Sequence, residues 1–181
     1  MLVAEKQCTL KNGKSAILRP IYPNEAETFL SAYIQTSSET SFISNYPEEI
    51  NITVEQEKAL LERFNENPNM FFIGAYVDDT FAGSISLMKK TNIKEKHKAT
   101  FGIAVLQKYW GMGIGKALMI YAMEQAKAMG VKLLDLRVLS GNAKAIKLYE
   151  DLGFIKAGEI PGAFILKDGA EHSDIIMYKR L

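Results

Sequence analysis

The residues with the plainest chemistry are three glycines at alternate positions, Gly111, Gly113 and Gly115, in the run Gln107-Lys108-Tyr109-Trp110-Gly111-Met112-Gly113-Ile114-Gly115-Lys116-Ala117-Leu118. Glycine turns a chain tightly and lets a ligand approach the backbone. An apolar extended stretch precedes the run and a helical pattern follows it. The first N–H groups of such a helix lack partners, and the positive end of its dipole points into the turn. The turn is therefore an anion site, and a phosphate or pyrophosphate is its natural occupant.

A second cluster begins at Asn142 and runs through Ala145 and Tyr149 to Leu152-Gly153-Phe154. Asn142 is placed to cap a helix, and the glycine to end it. Tyr149 shares the apolar face with Ala145, Leu148 and Leu152, so spacing alone reads it as a packed core aromatic. A phenol of pKa ~10 also keeps its proton at neutral pH.

The register of the glycines separates the phosphate-binding loops. A Walker loop needs Ser or Thr after Gly-Lys for its Mg²⁺; Gly115-Lys116 is followed by Ala117. A dinucleotide fingerprint needs Gly-x-Gly-x-x-Gly, and Gly115 falls one residue early. The acidic residue wanted ~20 positions on would be Asp135, which lies inside a strand pattern.

Composition narrows the class. A chain of 181 residues, 48% apolar and 24% charged, is expected to form one domain, 1–181, with its own core. A formal net charge of +1 gives no electrostatic case for nucleic acid or a membrane surface. The lysines from Lys89 to Lys98 read as a solvated loop. One cysteine, Cys8, excludes an intrachain disulfide and fits a reducing compartment, and with two histidines no metal site is expected. The first residues do not read as a signal peptide, and no stretch reaches the ~20 apolar residues that span a bilayer. The expected location is cytoplasmic.

These groups must be held by the elements around them. Asn12-Gly13 marks a two-residue hairpin turn between strands. Pro23 opens a helix with Phe29, Leu30, Tyr33 and Ile34 on its apolar face. Phe42, Ile43 and Tyr46 interrupt a polar loop over 37–50, as pocket wall or as plugs into the core. Thr53-Val54-Glu55-Gln56 is a capping box. Strands are expected over 70–77, 81–88, 99–105 and 133–138, the last two parallel because a helix ending near Gly130 connects them. Two more follow, from Phe154 and over 174–179. The expected fold is α/β (α+β): a central mixed, mostly antiparallel sheet of about seven strands flanked by about four helices.

From Val105 to Phe154 the chain resembles the GNAT family of acetyl-coenzyme A-dependent N-acetyltransferases. That family has a strand, a loop of pattern Arg/Gln-x-x-Gly-x-Gly/Ala, a helix, a strand, and an Asn-x-x-Ala-x-x-x-Tyr helix closed by Gly-Phe. The loop matches Trp110-Gly111-Met112-Gly113-Ile114-Gly115, and the helix matches Asn142 to Tyr149. Trp110 departs from the pattern at the Arg/Gln position, with core packing and stacking as its alternatives.

The resemblance implies a single-domain GNAT-like fold and acetyl transfer from acetyl-CoA to a primary amine in a ternary complex. Acceptors would be polyamine, amino acid or antibiotic-like small molecules, or a protein N-terminus. It places the cofactor at Ile103, Val105, Gly111, Met112, Gly113, Ile114, Gly115, Lys116, Asn142 and Ala145, with an oxyanion donor near Val105. Tyr149 becomes the proton donor to the leaving thiolate. Glu39, Glu95, His97 and Asp174 stay open as the general base. Glu39, Glu48, Glu49, Glu55 and Glu57 read either as an acidic acceptor groove or as ordinary loop and helix start. A homodimer is compatible with the family. A non-catalytic acetyl-CoA-binding module and a dinucleotide-dependent enzyme are the rival readings.

Overall fold

The computed structural model describes residues 1–181. The chain forms eight strands: β1 (Lys6–Thr9), β2 (Ser15–Pro20), β3 (Met70–Val77), β4 (Thr80–Lys89), β5 (Lys98–Val105), β6 (Leu133–Leu139), β7 (Ile155–Ile165) and β8 (Glu171–Arg180). The helices are α1 (Ala26–Glu39), α2 (Val54–Glu66), α3 (Ile114–Ala128) and α4 (Ala143–Asp151). One sheet runs β1-β2-β3-β4-β5-β6-β8-β7, antiparallel except where β5 meets β6. The sheet has eight strands against about seven expected, with the four-residue β1 at its edge.

The helices cover both faces. Leu118, Met119, Tyr121, Ala122 and Ala126 of α3 pack with Tyr149 of α4 against Phe71, Ile85, Leu134 and Met177. On the other face Phe29 of α1 and Leu61 of α2 pack with Tyr76, Phe81 and Leu106. Beside this second core, Arg19 pairs with Glu25 at 2.8 Å and Tyr76 donates to the same carboxylate at 2.9 Å.

Local rules set most boundaries. Thr53 accepts the Gln56 N–H and Gln56 reaches back, as the capping box requires. Asp78-Asp79, both at positive φ, turn β3 into β4. Gly130, at φ +74°, ends α3.

Four expectations need correction. The first hairpin turn spans residues 10–14 rather than two, because Leu10 bonds Lys14 and Asn12 Oδ1 accepts the Lys14 N–H. Ile34 is exposed, and Ala32 and Thr36 are buried instead. Helix α1 continues to Glu39, into the stretch read as loop. Strand β8 begins at Glu171, since its polar start pairs with Ile165 and Phe164 and shows no apolar signal.

One departure from regular pairing shapes the site. β5 and β6 pair only from Lys98 to Thr100 and from Leu133 to Asp135; beyond that β6 stays with β8 and the two strands part.

Candidate active site

The gap between β5 and β6 is lined by backbone. His97 C=O accepts from Lys132 and Leu133, on the β6 side, whereas Lys98 C=O accepts from Lys90 and Leu106 N–H donates to Ala82, on the β4 side. Amide and carbonyl groups alternate direction along a strand. Phe101, Ile103 and Val105 therefore turn their N–H and C=O groups into the gap, past the last paired residue. A strand edge of this kind offers donors and acceptors to an extended amide-bearing ligand, as a further strand would.

At the end of β5 the chain makes a single 3₁₀ turn, Gln107–Tyr109, and enters the glycine run. Gly111 and Gly113 take φ of +79° and +91°, a region that other residues rarely adopt. Gly115 is different. Its φ is ordinary, but a Cβ there would lie 3.3 Å from Leu148 and 3.9 Å from Ile103. The third glycine thus lets the start of α3 pack on α4 and β5. Ile114 and Lys116 complete the first turn of α3, which carries no acidic residue. That charge pattern leaves the positive helix end open to an anion.

Trp110 is 37% exposed, and its indole N–H donates to Val105 C=O at 2.7 Å. Lys144 of α4 stands 4.9 Å from the ring. The tryptophan therefore borders the mouth of the gap rather than entering either core.

Asn142 accepts the Ala145 N–H at 3.1 Å and so caps α4, with Ala145 packed against the larger core. Tyr149 is 6% exposed and meets the rings of Phe101 and Phe154 edge-on or tilted, both at 6.0 Å. Phe101 is the first β5 residue beyond the paired segment, so Tyr149 sits at the root of the gap. Burial pushes its phenol up to about 12.

The four base candidates separate. Glu39 lies at the open end of β5, where its carboxylate accepts the Gln107 N–H at 2.6 Å. Asp174 is buried opposite Leu139, ion-paired with Arg137, and its Oδ1 has no partner. Glu95 and His97 precede β5 and so lie at its paired end, away from the glycine turn that follows it.

The glutamates of 39–57 do not form one groove. Glu48 pairs with Lys167, Glu49 accepts the Tyr46 N–H at 2.7 Å in its own turn, and Glu57 is buried on α2. The aromatics of this loop are neither core plugs nor free. Phe42 meets His172 edge-on at 6.4 Å, and Tyr46 OH accepts from the Lys167 N–H at 3.0 Å. They join the α1–α2 loop to the β7–β8 hairpin, a contact between residues ~120 apart in sequence that no local pattern reveals.

Burial raises the Cys8 thiol, which fits no nucleophilic use. No three His, Cys, Asp or Glu side chains are grouped to hold a metal. No helix is long and apolar enough to cross a membrane.

Comparison with known proteins bears on this geometry. Residues 32–154 match the model of the Acetyltransferase (GNAT) family. A stretch of 94 residues is 33% identical to the [Ribosomal protein bS18]-alanine N-acetyltransferase of Escherichia coli strain K12, covering 52% of this chain and 64% of that protein. The chain thus spans under two thirds of that relative's length. A GNAT-family acetyltransferase from Streptococcus pneumoniae superposes with TM-score 0.87 at 24% identity, over 92% of this chain and 99% of the other. The yncA structure from Salmonella typhimurium, solved with its cofactor acetyl-CoA, superposes with TM-score 0.79 at 18% identity, over 91% and 92%.

Proposed function

The chain belongs to the acetyltransferase (GNAT) family, and from that premise we propose that it is an N-acetyltransferase, one domain over 1–181, moving an acetyl group from acetyl-CoA to an α-amino group. The observation that carries the donor half is the gap between β5 and β6, continuous with the glycine turn at Gly111–Gly115. A pantetheine amide chain matches the gap, and a diphosphate matches the turn.

Bound acetyl-CoA supplies an activated acetyl thioester; the chain's own residues supply the rest. Gly111 to Lys116 turn backbone N–H groups and a helix end toward the diphosphate. Ile103 and Val105 offer the strand edge, and Asn142 and Ala145 fix the start of α4 beside it. Holding donor and acceptor together makes a bimolecular encounter effectively unimolecular. A gap-facing N–H of β5 is the donor toward negative charge developing on the thioester oxygen.

Tyr149 acts on the sulfur. Its phenol, near 12 through burial, is ~3.5 units above a thiol of pKa ~8.5, so complete proton transfer to the thiolate would be uphill by ~5 kcal/mol. The reading this supports is a hydrogen bond to the leaving sulfur, not a full transfer. For the acceptor proton, Glu39, at the open end of β5, is the candidate taken, directly or through water. An α-amine acceptor is chosen because the E. coli relative is named for an alanine N-acetylation.

Thiol release from acetyl-CoA, followed with free amino acids, short peptides, polyamines and aminoglycosides, tests the proposal. Release dependent on an α-amine is the expected result. Binding of CoA without release by any amine would leave a binding module in its place, and tight NAD binding in preference to CoA a dinucleotide enzyme.

A further inference from the structure

The glycine turn of this chain lacks the cationic or amide side chain that the family pattern has at its first position; Trp110 stands there, and its N–H is turned away to Val105. The charge has another source. Lys11, in the loop between β1 and β2, donates its backbone N–H to Met112 C=O at 3.0 Å. Its side chain then runs along the turn: a Cβ on Gly113 would lie 3.3 Å from Lys11 Cγ, 3.8 Å from Cδ and 3.9 Å from Cε. The backbone bond and the stem together keep the side chain beside Gly113, the N-cap of α3.

Lys116, on the first turn of α3, is exposed and outside the ion pairs, but the other cations nearby have partners. Lys14 pairs with Asp78 at 2.5 Å and Lys6 with Glu124 at 2.5 Å. Lys108 lies 4.9 Å from the Tyr109 ring and Lys144 4.9 Å from that of Trp110. Lys11 is exposed and enters none of the ion pairs.

We propose that Lys11 is a cofactor-binding residue, its ammonium pairing with the diphosphate of acetyl-CoA in place of the side chain that Trp110 removes from the turn. This rests on the acetyl-CoA reading above. It makes the first hairpin part of the donor site, although the hairpin lies ~100 residues before the motif. A charge-assisted hydrogen bond to phosphate from an exposed lysine corresponds to about a tenfold change in affinity.

The test uses Lys11→Met, which keeps the stem and the backbone N–H and removes the charge. Calorimetric titration of the full chain with CoA and with dephospho-CoA, which lacks the 3′-phosphate but keeps the diphosphate, should show both weakened about tenfold, with melting temperature unchanged and Lys11→Arg restoring binding. S-acetylpantetheine, without any diphosphate, should keep its KM as acyl donor. Unaltered CoA binding overturns the proposal. Loss confined to CoA but not dephospho-CoA overturns the diphosphate assignment, and a raised KM for S-acetylpantetheine reduces Lys11 to a packing role. Failure of the wild type itself to bind CoA overturns the acetyl-CoA reading, and this inference with it.

Discussion

Trp110 donates its indole N–H to the carbonyl of Val105 at 2.7 Å, so the glycine turn folds back on the last residue of the strand that leads into it. That carbonyl faces the gap where an amide-bearing cofactor would lie. Ligand and indole then compete for one acceptor, or the indole borders the bound chain.

Trp110 is the chain's single tryptophan, so intrinsic fluorescence reports on this contact alone. Saturation with CoA should change its emission, with a midpoint equal to the calorimetric Kd. Emission unchanged at full saturation would remove the indole from the site. Trp110→Arg, restoring the family's residue, should make CoA binding less dependent on Lys11, seen as a non-zero coupling in a double-mutant cycle.

Tyr149→Phe should lower kcat by about a hundredfold, in the range of lost proton-donor assistance, while CoA binding changes less than about twofold. Since burial raises the phenol to about 12, it stays protonated through the assay range and contributes no falling limb below pH ~10. The same shift affects folding. The neutral phenol is favoured in the fold, so its contribution is complete below the unfolded value of ~10 and is lost as pH rises toward 12. A kcat equal to wild type would show Tyr149 to be a core aromatic only.

Glu25 gives a second pH signature with the opposite sign. Burial alone would raise its carboxyl, but the Arg19 bond, the Tyr22 N–H and the Tyr76 hydroxyl outweigh it and hold the carboxyl below the ordinary value. Its contribution is present above the unfolded value and is lost as pH falls through the folded one. Glu25→Gln should cost about 1–2 kcal/mol at pH 7, and the difference should shrink toward zero in acid. Denaturant unfolding across this range measures it.

Glu57 is 2% exposed, its Oε1 has no partner, and burial raises its carboxyl. Folded-state protons are then bound more tightly than unfolded ones, so stability falls as pH rises past the ordinary carboxylate range. Glu57→Gln should stabilise the fold by about 1 kcal/mol at pH 7 and leave it unchanged near pH 4. A loss of stability at pH 7 would show that a partner satisfies the carboxylate.

What could be read in the sequence was local. The glycine turn, the Thr53 capping box, the Asn142 cap and the parallel β5–β6 relation each depend on residues within a few turns of one another, and each stands in the fold. Other features depend on docking between distant segments. The Lys11–Met112 bond and the Tyr46–Lys167 contact join residues ~100 or more apart, and nothing in either segment's pattern specifies its partner. Gly115 was legible as a loop glycine but not as the packing point of α3 on α4, because Leu148 arrives from another element.

The most direct measurement is mass analysis of an α-amine acceptor, an alanine-initiated peptide beside free amino acids, after incubation with acetyl-CoA and the wild-type chain, with Tyr149→Phe in parallel. One acetyl group on the α-nitrogen is expected, formed with stoichiometric thiol release and far more slowly by the variant. CoA bound in the gap with no acetylated amine from any acceptor, or equal rates from both proteins, would contradict it.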